Sequence, residues 1–204
     1  MRRLERGALF RALFRALLGA LGLLWAAAAG AMELDALMQL LARRQSGEAR
    51  FTEVRHVAGL DQPLWSSGTL SFKAPDQLAR RTLSPRPESF SVQGNQVTLE
   101  RGGRVRRLHV DAVPELSALI AAMSGALNGN ARQLTQHFRA SLSGHAAQWR
   151  LTLLPDDERV ALTVRELRLS GQQGDLLQVE LLLADGDRSI MHIEPQAAPG
   201  PGAK

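Results

Sequence analysis

Hydrophobic positions recur along this chain with two periods, and the switches between them mark out its elements. Over residues 33–44, Leu34, Leu37, Met38 and Leu41 fall three and four apart, with acidic residues in the first turn and Arg43 and Arg44 in the last. That spacing places the apolar side chains on one stripe of a helix, and the charges complement the helix dipole. From Glu48 the period is two. Alternating segments at 48–57, 64–73, 77–83, 89–93, 96–100 and 104–110 predict a meander of about six strands. Pro85 and Pro87 stop the third, and Gly94-Asn95 and Gly102-Gly103 close two tight hairpins. Gly68, inside the second strand, marks a bend or bulge.

The helical period returns at Pro114–Leu127, where Leu116, Leu119, Ile120, Met123 and Leu127 share a stripe. Pro114 suits a first helical position, Glu115 the positive end of the dipole, and Asn128-Gly129 a stop. Ser117, Ala118, Ala121, Ala122, Ser124 and Gly125 make the opposite face small and uncharged. Such a helix is either an ordinary core helix on a sheet or a movable cover over an apolar cavity. Residues 129–136 extend it or form a short loop helix. Strands follow at 137–143, 148–155, 159–170, 176–183 and 189–194, and the apolar parity slips between Val164 and Leu167, which predicts a bulge. About ten antiparallel strands with one apolar face tend to curl. The fold class expected is α+β, mainly β: a strongly curved antiparallel sheet forming an incomplete barrel, its concave face covered by the two amphipathic helices.

The N-terminus changes how the charge is understood. Arg2, Arg3, Arg6, Arg11 and Arg15 precede an uncharged run of 14 residues from Ala16 to Ala29, and Ala29-Gly30-Ala31 has the small-x-small pattern of a secretory cleavage site. The expected organisation is a signal peptide over 1–31, cleaved after about Ala31, a domain over 32–195 and a disordered tail over 196–204. Five of the chain's 25 Lys and Arg and one of its 20 Asp and Glu fall in the first 31 residues, leaving 20 against 19. A near-neutral exported domain argues against nucleic-acid binding. The cluster Arg101, Arg104, Arg106 and Arg107 sits on a predicted hairpin, either as a solvated face or as a docking patch for an acidic partner.

No catalytic constellation stands out. There is no cysteine, which removes thiolate chemistry, disulfides and a lipid-bearing N-terminal cysteine, and the five histidines lack metal-ligand spacing. No G-x-S-x-G elbow, P-loop or H-E-x-x-H occurs. Asp156-Asp157-Glu158 belongs to a turn. No enzyme activity, cofactor or metal is called for. What remains is aliphatic surface: Leu70, Phe72, Trp149, Leu151 and Leu153 from strands, with Leu116, Leu119, Ile120, Met123 and Leu127 from the helix, form a candidate lining suited to acyl chains.

The order of elements resembles the LolA family of periplasmic outer-membrane lipoprotein carriers. The resemblance spans nearly all of the chain after residue 31. It rests on an N-terminal helix, on Phe51-Thr52-Glu53 where the family often has Phe-x-Gln, and on Gly68-Thr69-Leu70-Ser71-Phe72-Lys73-Ala74-Pro75, similar to its G-x-L-x-[aromatic/aliphatic]-x-x-P strand. A central helical insert and Trp149-Arg150-Leu151 complete it. Ala74 stands where a basic residue is frequent, and Arg80-Arg81 where an aromatic is. The resemblance implies a half-barrel lidded by helices and a soluble, monomeric periplasmic carrier of acylated lipoprotein or lipid. Such a carrier has an inner-membrane transporter as donor and an outer-membrane acceptor. The alternative is a non-catalytic protein-interaction module with a closed core, docking through a sheet edge or the 101–107 hairpin.

Overall fold

The computed structural model describes residues 32–196. The segment expected to be a signal peptide, and all of the expected tail but Gln196, lie outside the described residues. The first helix is α1 (Leu34–Leu41). Six strands follow: β1 (Ser46–His56), β2 (Leu64–Lys73), β3 (Gln77–Ser84), β4 (Glu88–Gln93), β5 (Gln96–Arg101) and β6 (Arg104–His109). A helical stretch comprises a 3₁₀ turn (Val110–Ala112), α2 (Pro114–Leu127) and α3 (Ala131–Leu134). Then come β7 (Phe138–His145), β8 (Gln148–Pro155), α4 (Glu158–Ala161), β9 (Val164–Gln172), β10 (Asp175–Leu183) and β11 (Arg188–Pro195).

All eleven strands form one antiparallel sheet in the order β6-β5-β4-β3-β2-β1-β11-β10-β9-β8-β7. Each meander zips its own strands, and β1 pairs with β11 to join the two halves in the middle. The sheet does not close; β6 and β7 are its edges. They are consecutive strands in the chain, so the segment between them must travel from one edge to the other. It does so as helices across a single face, which is what positions α2.

Register decides which side chains share that face. Gly47 faces Phe72, Ala49 faces Leu70 and Glu53 faces Ser66 across β1 and β2, while Leu70 faces Arg80 across β2 and β3. The two expected irregularities are present. Between Ser67 and Gly68 the β2–β3 register slips, leaving Leu83 as the extra residue. Gly68 is required there, because a Cβ would lie 1.9 Å from the carbonyl oxygen of Arg81. In β9, Arg165 is the extra residue between Val164 and Glu166.

One strand expectation needs correction. Residues 159–163 are not extended: the Asp157 carboxylate accepts the backbone N–H of Arg159 at 2.9 Å and caps the single turn α4, which buries Val160. The alternation there is too short to outweigh a good N-cap. Residues 131–134 form the short loop helix, capped by Asn130, whose side-chain oxygen accepts from the Gln133 N–H at 3.1 Å.

Two packed regions result. The larger joins Leu37, Met38 and Leu41 of α1 and Ala118, Ala122 and Ala126 of α2 to Trp149, Leu151 and Leu153 of β8 and Leu167 and Leu169 of β9. The smaller gathers Val92, Val97 and Val110, with Leu116 and Ile120 of α2 against them. Each fully buried side chain of this size contributes about 1.5–3 kcal/mol.

Candidate functional site

Between the two packed regions the middle of the sheet is left uncovered, and there the structure holds a cavity of about 290 Å³. Its walls follow from strand parity. Ala49 on β1, Leu70 and Phe72 on β2, Leu78 on β3, Phe90 on β4, Val179 on β10, and Met191 and Ile193 on β11 all point to the face that the helices cross. Leu41 of α1 and Met123 and Leu127 of α2 supply the opposite wall. Nearly all of this surface is hydrocarbon.

Charge is confined to its two ends. At one end Arg44, just past α1, donates through Nη2 to Asp175 Oδ1 at 2.5 Å; both side chains are about a third exposed, which marks this end as the mouth. Bare Gly47 lets two side chains crowd together here: the position of a Cβ would be 2.8 Å from Phe72 Cε1 and 3.4 Å from Arg44 Cδ. At the other end the Arg80 guanidinium lies 4.7 Å from the Phe51 ring centroid and donates to Glu53 Oε2 at 2.5 Å. Glu53 also accepts from Ser66 Oγ at 2.9 Å and Ser189 Oγ at 2.5 Å, while Arg80 Nε is buried without a partner. Glu53 and Arg80 are two of the positions where the sequence departs from the LolA pattern. Here they pair with each other, and the flat guanidinium covers Phe51.

The ten residues expected to line one interior are distributed over three places. Leu70, Phe72, Met123 and Leu127 reach the cavity. Leu116 and Ile120 pack on the smaller region, and Leu119 on the larger. Trp149, Leu151 and Leu153 are at most 2% exposed inside the larger region and away from the cavity wall. Trp149 spends its indole N–H on the Gln173 carbonyl at 3.0 Å. Alternation cannot separate Trp149 from Phe72, since both belong to regular inward-facing rows; what differs is whether a helix lies on them. Leu78, Val179, Met191 and Ile193 were not singled out from sequence, although strand parity marks them.

The orientation of α2 also differs from a simple apolar-inward helix. Its small residues Ala118, Ala122, Ser124, Gly125 and Ala126 are the buried ones, while Leu119, Met123 and Leu127 are only partly covered. A Cβ on Gly125 would sit 2.5 Å from the backbone nitrogen of Leu134, so α2 and α3 touch backbone to backbone. Past its C-terminus, Asn128 Nδ2 donates to the Pro75 carbonyl at 2.5 Å, tying the helix end to the β2–β3 turn.

Elsewhere, Asp156 pairs with Arg139 at 3.4 Å and Asp157 caps α4, which accounts for two residues of the acidic run. Among the described residues no group of three or more His, Asp or Glu is placed to hold a metal ion, and no helix is long and apolar enough to cross a membrane.

Residues 26–198 match the family model described as outer membrane lipoprotein carrier protein LolA-like. The chain belongs to this LolA-like family. Among solved structures it is similar to a LolA superfamily protein from Nitrosomonas europaea, with 10% identity over 82% of this chain and 96% of that one and a TM-score of 0.43. A domain from Vibrio parahaemolyticus described as a putative outer membrane lipoprotein-sorting protein matches at 10% identity over 86% of this chain and 95% of that one, with a TM-score of 0.42. MucB in the MucA/MucB complex of Pseudomonas aeruginosa matches at 17% identity over 83% of this chain and 59% of that one, with a TM-score of 0.40. No curated protein matches the sequence. The LolA-like half-barrel is thus an open sheet with α2 across it, and its cavity occupies the stretch that neither packed region fills.

Proposed function

We propose that the chain is a periplasmic carrier that takes up the acyl part of a lipoprotein or lipid between α2 and the sheet and conveys it from inner to outer membrane. The observation that carries this reading is the apolar cavity under Met123 and Leu127, open at the Arg44 end, in a chain of a family described as lipoprotein carriers. The chemistry is binding and release, without a bond made or broken. Each acyl methylene moved from water into the cavity is stabilised by about 0.8 kcal/mol. Release to an acceptor therefore needs compensation, and the partly covered Met123 and Leu127 supply it by closing on the sheet as the chain leaves. Donor and acceptor at the two membranes complete the route.

A second reading, a protein-interaction module, is favoured by one feature. Arg104, Arg106 and Arg107 lie on edge strand β6 with no carboxylate within 4.0 Å among the described residues. One experiment separates the two: purify the protein from the periplasm, extract it for lipid mass spectrometry, and titrate it with a fluorescent fatty acid. A carrier yields co-purifying acyl species and saturable binding. If both signals are absent from a folded sample, the carrier reading is refuted.

A further inference from the structure

We infer that Arg44 is the head-group contact of this site and that the ligand is an acyl amphiphile with an anionic head, carboxylate or phosphate. The inference rests on the carrier reading and narrows its cargo.

A chain lying along Phe72 emerges beside the Arg44 stem, because Gly47 leaves the two side chains adjacent at the mouth. The guanidinium then stands where the head must be. It holds Asp175 through Nη2 alone, and its other N–H groups have no protein acceptor among the described residues. A planar fork with open donors suits a carboxylate or phosphate, which it binds with two parallel hydrogen bonds. Arg80, the other arginine of the cavity, is committed to Glu53. Glu48 also borders the cavity, but it has the outward parity of β1, opposite to Gly47 and Ala49, so Asp175 is the carboxylate that competes with the ligand.

The test measures displacement of a fluorescent fatty acid by palmitate, 1-palmitoyl lysophosphatidate and methyl palmitate, in the wild type and in Arg44→Gln and Asp175→Asn. Both members of the pair are about a third exposed, so neither substitution threatens the fold, and thermal melts verify this. Wild type binds the two anions about tenfold more tightly than the ester. Arg44→Gln brings the anions to the ester's affinity and leaves the ester unchanged, and Asp175→Asn tightens the anions. The stronger of the two anions identifies the head group. Equal affinity for acid and ester in wild type, or an Arg44→Gln loss shared by all three ligands, overturns the inference while leaving the carrier intact. If none of the three binds, the carrier reading itself fails.

Discussion

A leucine at position 47 blocks the proposed site without disturbing the sheet that carries it. The three nearest atoms to a Cβ there are side-chain atoms, Phe72 Cε1 at 2.8 Å, Arg44 Cδ at 3.4 Å and Phe72 Cδ1 at 3.4 Å. Phe72 must rotate toward the cavity, and no backbone has to move. Replacing a strand glycine also removes an entropic cost of about 0.5–1 kcal/mol, so the net change in stability stays within about 1 kcal/mol. The leucine puts about four carbons into the mouth, and each ligand methylene it displaces forfeits about 0.8 kcal/mol. The loss is about 3 kcal/mol, or roughly 200-fold in Kd. Gly47→Ala, with one carbon, gives about fourfold. Fatty-acid titration of wild type, Gly47→Ala and Gly47→Leu, each with a thermal melt, reads this graded series. If Gly47→Leu melts normally and binds within threefold of wild type, acyl chains do not enter between Phe72 and Arg44, and the cavity is not the site. Should Gly47→Leu lose its cooperative melt, Ala49→Leu, one inward position deeper, repeats the test.

Three further outcomes check the packing and electrostatics. Gly125→Val drives a side chain into the Leu134 backbone, at 2.5 Å from N and 2.9 Å from Cα, and costs about 2–3 kcal/mol in urea unfolding. Glu53→Ala strands Arg80 over Phe51 and costs about 2 kcal/mol, whereas Glu53→Ala with Arg80→Met recovers more than half of it in a double-mutant cycle. The Asp187 carboxyl is held below its ordinary value of 3.8 by the backbone N–H of Ala58 and then by Arg55. A lowered folded pKa means stability that is fully present above the unfolded value and is lost as pH falls through the folded one. A plot of Tm against pH therefore has a shallower acid limb in Asp187→Asn than in wild type below pH 3.8.

Much of the fold was legible because local rules and tertiary demands agree. The second strand's limits, Leu64–Lys73, are those its alternation predicts, and the parity slip after Val164 is a real bulge at Arg165. The site was less legible. Periodicity states which residues share a face but not what lies opposite that face. Leu151 and Leu70 show the same pattern, yet one lies under packed helices and the other beside open space. For α2, side-chain size decided the outcome: alanines and Gly125 allow close approach to neighbouring helices, so the small face was buried and the leucine stripe was left partly covered. The Glu53–Arg80 pair joins residues 27 apart on β1 and β3, and only the sheet order that flanks β2 with these two strands brings them within reach.

The helical segment between β6 and β7 is fastened to both free edges of the sheet. A cover attached at one end can swing clear like a door, but a strap attached at both ends cannot. It gains clearance only when the edges approach one another or when its own short joints, at 110–113 and 128–137, give slack. Entry of a ligand is thereby linked to the curvature of the whole sheet, and anything that stiffens β6 or β7 alters how readily cargo is exchanged.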